Sequence, residues 1–256
     1  MNTASSALRS FSRMVCASIA AWLVSSLACA QAQPVHFEDS MAQRTMACTT
    51  CHGREGRATN DGYYPRIAGK PAGYLYHQLL NFRDNRRHYG LMTQMVDPLS
   101  DAYLMEIAEY FSAIDLPYPP PQPTSAPAQV LQRGQQLAIQ GDAARGLPAC
   151  AQCHGEKLTG VAPNTPGLLG LPRDYLNAQL GAWRTGARRA HAPDCMADIA
   201  RKLSPEDVFA ATSWLAAQAL PAGPHPAKTV PLLAPGAPAI ACGSAPPPMA
   251  NAGARP

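Results

Sequence analysis

Two short segments of this chain bring sulfur and imidazole together at identical spacing: Cys48-Thr49-Thr50-Cys51-His52 and Cys150-Ala151-Gln152-Cys153-His154. Two thiols three residues apart, followed directly by histidine, can meet three fixed points on one rigid macrocycle. The thiols form thioethers to porphyrin vinyl groups, and the imidazole supplies a nitrogen to the iron. A lone copy would leave a zinc half-site as an alternative. Two copies about a hundred residues apart, each followed by the same landmarks, predict two covalently attached haem c groups.

The second axial position decides what such a haem does. An open site admits peroxide or another ligand, whereas a closed site leaves electron transfer. Met92 follows His52 by 40 residues and Met196 follows His154 by 42. Each stands seven residues before a Leu-Ser pair, Leu99-Ser100 or Leu203-Ser204. A thioether sulfur is a soft ligand that favours ferrous iron and raises the reduction potential. Most methionines fill cores, and Met95 and Met105 lie close to Met92, but Met95 has Ile199 as its counterpart while Met92 and Met196 keep register. His77, His88 and His191 are rival ligands, so bis-histidine ligation stands as an alternative for either haem. Pro65 and Pro166, 13 and 12 residues after their histidines, are placed to accept the imidazole Nδ1–H at a carbonyl. That bond would orient the ring and strengthen its donation to iron; a plain turn proline is the alternative.

The elements that must hold these groups also come in two copies. Tyr64-Pro65-Arg66-Ile67-Ala68-Gly69 and Tyr74-Leu75-x-x-Gln78-Leu79-x-x-Phe82-Arg83 follow the first motif. Thr165-Pro166-Gly167-Leu168-Leu169-Gly170 and Tyr175-Leu176-x-x-Gln179-Leu180-x-x-Trp183-Arg184 follow the second. Each copy closes with a predicted helix, 101–114 or 205–218, capped by Ser100 or Ser204, with Pro205 at the first helical position. Leu104, Ile107, Ala108 and Phe111 form one apolar stripe, and Val208, Ala211, Thr212 and Leu215 a weaker one. Tyr110 and Trp214 correspond, and are expected to cover a haem edge or a helix crossing. The fold class is therefore all-α: two tandem helical domains, each enclosing a covalent haem. Expected boundaries are a signal segment at 1–32, a first domain at 33–116, a Pro-rich linker at 117–127, a second domain at 128–220 and a tail at 221–256. That tail carries ten prolines and is expected to have little regular structure.

Arg9 and Arg13, the apolar stretch 14–28 and the small residues at Ala28-Cys29-Ala30 and Ala30-Gln31-Ala32 form a secretory signal, with cleavage expected after Ala30 or Ala32. Cys29 raises a lipoprotein alternative, although Ser26 stands where a lipobox carries leucine. No later stretch is apolar enough to span a bilayer, and covalent haem attachment together with a bacterial-style signal points to the periplasm. Without the signal, 19 basic side chains face 17 acidic ones, and no basic run interleaved with aromatics speaks for nucleic acid. Cys195 and Cys242 remain after the haem and signal cysteines are assigned. In an oxidising compartment they suggest a disulfide; a free thiol and a thiolate ligand to the second iron are the alternatives.

Over residues 41–218 these landmarks resemble the dihaem cytochrome c4 family, most closely at Met92-Thr93-x-Met95-x-Asp97-Pro98-Leu99-Ser100-Asp101. The resemblance implies two cytochrome-c-type domains related by an approximate two-fold, with haem propionates near their interface. It implies Met92 and Met196 as axial ligands, and a carrier of single electrons between a respiratory donor and a terminal oxidase or other acceptor. Its partners would be redox proteins that dock transiently, and no catalytic residue would be expected. A dihaem peroxidase or thiosulfate-type dehydrogenase, or a cytochrome subunit of a dehydrogenase complex, is the alternative. Three features depart from the family: no glycine in the predicted helix 39–47, where Arg133-Gly134-Gln135 keeps one in the second copy; the Pro-rich tail; and Cys195 beside Met196.

Overall fold

Ten helices and one small hairpin carry the regular structure of the residues described by the computed structural model, 38–59, 63–229 and 242–245. The expected signal segment and residues 230–241 and 246–256 of the tail lie outside them. In the first half, α1 (Met41–Arg44) and α2 (Met46–His52) precede α3 (Ala72–Arg83), α4 (Gly90–Val96) and α5 (Asp101–Ala113). The second half repeats the order with α6 (Ala128–Ile139), α7 (Cys150–His154), α8 (Arg173–Thr185), α9 (Cys195–Lys202) and α10 (Pro205–Ala216). Between α7 and α8, β1 (Gly160–Val161) pairs antiparallel with β2 (Thr165–Pro166). The architecture is all-α, two helical halves in tandem.

The closing helices begin where serine can accept an orphan N–H. Ser100 Oγ accepts from Tyr103 N–H at 3.3 Å, and Ser204 Oγ from Asp207 N–H at 3.1 Å. Leu104, Ile107, Ala108 and Phe111 of α5 are buried against Leu75, Tyr76, Leu80 and Phe82 of α3. Burying each such large side chain contributes roughly 1.5–3 kcal/mol. In the second half α10 packs on α6 and α8. The crossing with α6 is closest at Gly134, where an added Cβ would run into the Ala210 carbonyl and the Trp214 Cβ. Trp214 thus sits at a helix crossing.

Two expectations are corrected. The helix before the first motif is not continuous: α1 stops at Arg44 and α2 begins at Met46. Thr45 between them is fully buried and its Oγ1 donates to the Met41 carbonyl at 2.7 Å, a side-chain bond that competes with the helical ladder. The closing helices end at Ala113 and Ala216, one and two residues early, as last turns commonly fray. The described tail residues, 221–229 and 242–245, form no helix or strand but bond to the second half. Ala227 pairs with the hairpin, its N–H donating to Gly160 O at 2.9 Å and its carbonyl accepting from Ala162 N–H at 2.8 Å.

One ion cluster ties the second half together. Asp207, side chain 6% exposed, accepts from Arg133 Nε at 2.9 Å and Arg145 Nη1 at 2.6 Å, and its Oδ2 also caps Ser204 N–H. Burial alone would raise its pKa, but the bonds from Arg145, Ser204 and Arg133 outweigh it and hold the carboxyl below the usual carboxylate range. A depressed folded-state pKa adds stability above the unfolded value and loses it as pH falls through the folded one. Asp207→Asn should therefore destabilise the fold by about 1–3 kcal/mol at pH 7, and the deficit should shrink in acid, as urea melts at pH 7 and pH 3 would measure. Gly134→Val should cost a further 1–3 kcal/mol or about that by overpacking, read from the same melts.

Candidate haem-binding sites

Each motif lies on one short helix that ends at its histidine. α2 carries Cys48, Cys51 and His52; α7 carries Cys150, Cys153 and His154. The chain then turns sharply through glycines at φ +74° (Gly53) and +87° (Gly155). A Cβ would meet the Ala58 carbonyl at Gly53 and Gly160 O at Gly155. Sequence reasoning did not single these glycines out; their signal was their position directly after both histidines.

His52 and His154 are each 8% exposed. His52 Nδ1 lies 2.8 Å from the Pro65 carbonyl, and His154 Nδ1 lies 2.7 Å from the Pro166 carbonyl. A carbonyl only accepts, so the proton sits on Nδ1 and the Nε2 lone pair is left for a metal. Burial lowers both pKa values, opposed by these carbonyl bonds and reinforced by the charge of Arg87 at His52 and of Lys70 at His154. Burial and the neighbouring charge both favour the neutral imidazole.

The four motif cysteines are half-buried and outside any disulfide. Cys48 packs on the first apolar cluster and Cys150 on the second. Burial pushes the Cys48 thiol up, and the Cys150 thiol up to about 11. No group of three or more His, Cys, Asp or Glu is arranged for a metal ion among the described residues, which leaves a zinc half-site without its other ligands. Two thiols, one imidazole nitrogen and an apolar backing fit a haem, and the same set occurs twice.

Met92 is half-buried on α4 and packs on the cluster that also takes Cys48, Ile67 and Tyr74; Met95 on the same helix is 44% exposed. Met196 is half-buried in the first turn of α9, behind Asp194, whose side chain accepts from Ala197 N–H at 3.0 Å and Ala190 N–H at 2.7 Å. Of the rival histidines, the rings of His77 and His191 face each other at 6.4 Å. His88 donates its backbone N–H to Ala187 O at 3.0 Å.

Cys195 and Cys242 form a disulfide with a Cα–Cα distance of 5.1 Å, so Cys195 is neither a free thiol nor a thiolate here. Gly243 N–H donates to Pro193 O at 2.8 Å, and Ala245 is buried in the first-half cluster. The bonded tail segment thus reaches from α9 into the core of the other half.

Two arginines that the sequence reading did not single out join the halves. Arg87 donates to Gln78 Oε1 (3.2 Å), Gln179 Oε1 (2.7 Å) and Tyr175 Oη (3.4 Å). Arg188 donates to Gln179 Oε1 (2.8 Å) and Gln78 Oε1 (2.9 Å). Arg87 stacks on Phe82 at 4.5 Å and Arg188 on Trp183 at 3.8 Å. The two arginines occupy equivalent places in the repeat, as do the two glutamines, so the halves exchange matching bonds across an approximate two-fold. No carboxylate pairs with either guanidinium among the described residues. The signal was Arg87 and Arg188 standing nine residues after Gln78 and Gln179.

No protein-family model matches the chain. Cytochrome c4 of Pseudomonas aeruginosa is 31% identical over 174 residues, 67% of this chain and 84% of that protein. The chain belongs to the cytochrome c4 family. This cytochrome is also 38% identical over 175 residues to the thiosulfate dehydrogenase electron acceptor of Thiomonas intermedia, covering 68% of this chain and 79% of that one. Thiosulfate dehydrogenase (TsdBA) of Marichromatium purpuratum has a similar structure, with a TM-score of 0.61 and 30% identity. That match covers 68% of this cytochrome but 36% of the TsdBA chain. Haem, cytochrome c and electron transport therefore describe this family member.

Reducing the Cys195–Cys242 bond, which closes a 47-residue span, should destabilise the fold by about 4 kcal/mol in the chain-entropy model. Urea melts of the protein and of Cys195→Ser/Cys242→Ser would measure it. Intact mass with and without reductant should differ by two hydrogens.

Proposed function

We propose that this cytochrome is a periplasmic dihaem carrier that accepts electrons from a thiosulfate-oxidising dehydrogenase and passes them singly to a respiratory acceptor. The observation that carries the reading is the duplicated site: in each half a tethered, neutral histidine and a half-buried methionine in the same register. Bound there, haem c supplies a one-electron ferric/ferrous couple. Cys48, Cys51, Cys150 and Cys153 hold it by thioethers. His52 and His154 ligate the iron with rings oriented by the Pro65 and Pro166 carbonyls. Met92 and Met196 would supply a thioether sulfur to the iron, a ligand that favours the ferrous state. Arg87 and Arg188, charged and without an acidic partner, are suited to haem propionates at the interface between the halves.

A methionine ligand in both halves would leave a carrier without a catalytic residue. Cys195, the feature that favoured a catalytic second site, is engaged in a disulfide. The choice of donor is supported by the electron-acceptor relative, matched over 79% of its length. The match to part of the longer TsdBA chain favours a second reading, a stable complex or fusion partner of the dehydrogenase. Export rests on the signal at 1–32. Among the described residues no helix is long and apolar enough to cross a membrane.

The purified protein should hold two haems per chain, both with the far-red band of methionine-bound ferric iron and neither binding carbon monoxide readily. Met92→Ala and Met196→Ala should each remove about half of that band and turn one haem high-spin. Thiosulfate plus its dehydrogenase should reduce both haems in wild type. A single haem, a carbon-monoxide-binding wild type or no reduction would sink the reading, while co-purification with the dehydrogenase at fixed stoichiometry would select the complex.

A further inference from the structure

Lys70 is a buried cation without a hydrogen-bond partner among the described residues. Its side chain lies just before α3 at 4% exposure, and Nζ makes no hydrogen bond among the described residues. Arg66 beside it is fully engaged, donating to Ala68 O (3.1 Å), Pro117 O (3.0 Å) and Leu116 O (2.6 Å). Both cations lie over the Tyr118 ring, Arg66 Cζ at 4.0 Å and Lys70 Nζ at 5.6 Å from its centroid.

This first-half cluster abuts the proximal side of the second site. The Tyr118 ring occupies the space a Cβ on Gly170 would need, and Gly170 follows Pro166 by four residues. Tyr74 N–H, four residues after Lys70, donates to Pro163 O at 3.1 Å, and Gly73 is pressed against Pro163 and Asn164. Residues 163–166 form the turn and strand that present the Pro166 carbonyl to His154. The Lys70 charge is accordingly felt at His154. The repeat offers no return: Leu171, buried and apolar, stands at the equivalent place.

We infer that Lys70, a residue of the first half, raises the reduction potential of the haem held by His154 and couples its reduction to uptake of a proton. The inference rests on the reading that His154 ligates a haem iron. A positive charge in a low-dielectric setting opposes the ferric state more than the ferrous one, so it favours reduction. The electron comes from the donor dehydrogenase and the proton from water to Nζ; no other bond changes. The charged and titratable groups around Lys70 are Arg66, Arg57, Tyr118 and Asp115 from the first half and linker, and His154 from the second. Burial, with the Arg66 charge adding to it, brings Lys70 down to about 7, whereas burial pushes Tyr118 up. As pH rises through that value the ammonium is lost and the potential should fall.

The test is a redox titration of the holoprotein at pH 6 and pH 9, for wild type, Lys70→Gln and Lys70→Arg. Met196→Ala identifies the component that belongs to the second haem. At pH 6, Lys70→Gln should disfavour reduction of that component about tenfold, about 59 mV for one electron, and leave the other component in place. Lys70→Arg should keep the high potential and lose most of the fall between pH 6 and pH 9. Unmoved potentials in a Lys70→Gln protein with both haems would overturn the inference and leave the carrier reading standing. So would a wild-type second-haem potential that is flat between pH 6 and pH 9, which needs no variant to fold. Peptide mass spectrometry that finds no haem on Cys150 and Cys153 would instead overturn the reading of the site, and this inference with it.

Discussion

The hydrogen bond from a histidine Nδ1–H to a proline carbonyl is the constraint on which each half is built. It joins the end of a one-turn or two-turn helix to a loop 12 or 13 residues further on, at 2.7–2.8 Å in both copies. It settles the tautomer, because a carbonyl cannot donate, and so decides which nitrogen faces a metal. It also dictates the glycine after each histidine. The chain must reverse at once to bring the proline back, and only a residue without Cβ fits against the carbonyl it passes. The apolar clusters of α3 with α5 and of α8 with α10 then supply the backing for the site.

The two halves meet in part through cations. Arg87 and Arg188 each bond both Gln78 and Gln179 and each stack on an aromatic ring. Two guanidiniums held this close without a carboxylate repel one another, and burial lowers the pKa of Arg188, the Arg87 charge adding to the effect. Such an arrangement is suited to anions from outside the polypeptide, and haem propionates are anions of that kind.

Duplication did not make the halves equivalent. The second has the longer helix α6 crossing α10 at Gly134 and the Asp207 ion cluster, where the first has the broken pair α1 and α2. Tyr64 lies 6.2 Å from His52, where the second half has Thr165, and Lys70 has only Leu171 opposite it in the repeat. The disulfide-bonded tail crosses in the other direction, setting Ala245 among first-half side chains. Each half therefore shapes the surroundings of the other, and two sites with the same ligand types sit in different electrostatic settings.

Local spacing alone determined the chemistry of this protein. The Cys-x-x-Cys-His pairs and the Ser-capped closing helices are short-range patterns, legible because a thioether pair or a helix cap needs residues within one or two turns. The repeat made Pro65 and Pro166 legible as well, since a contact made twice at matched offsets leaves a periodic trace. Tertiary structure decided what has no such trace. Cys195 meets Cys242 because the tail folds back on α9. The Arg87–Arg188 network and the placement of Lys70 behind His154 arise only when the halves dock. Long-range contacts depend on where whole surfaces meet, and residues a hundred positions apart carry no local mark of their partner.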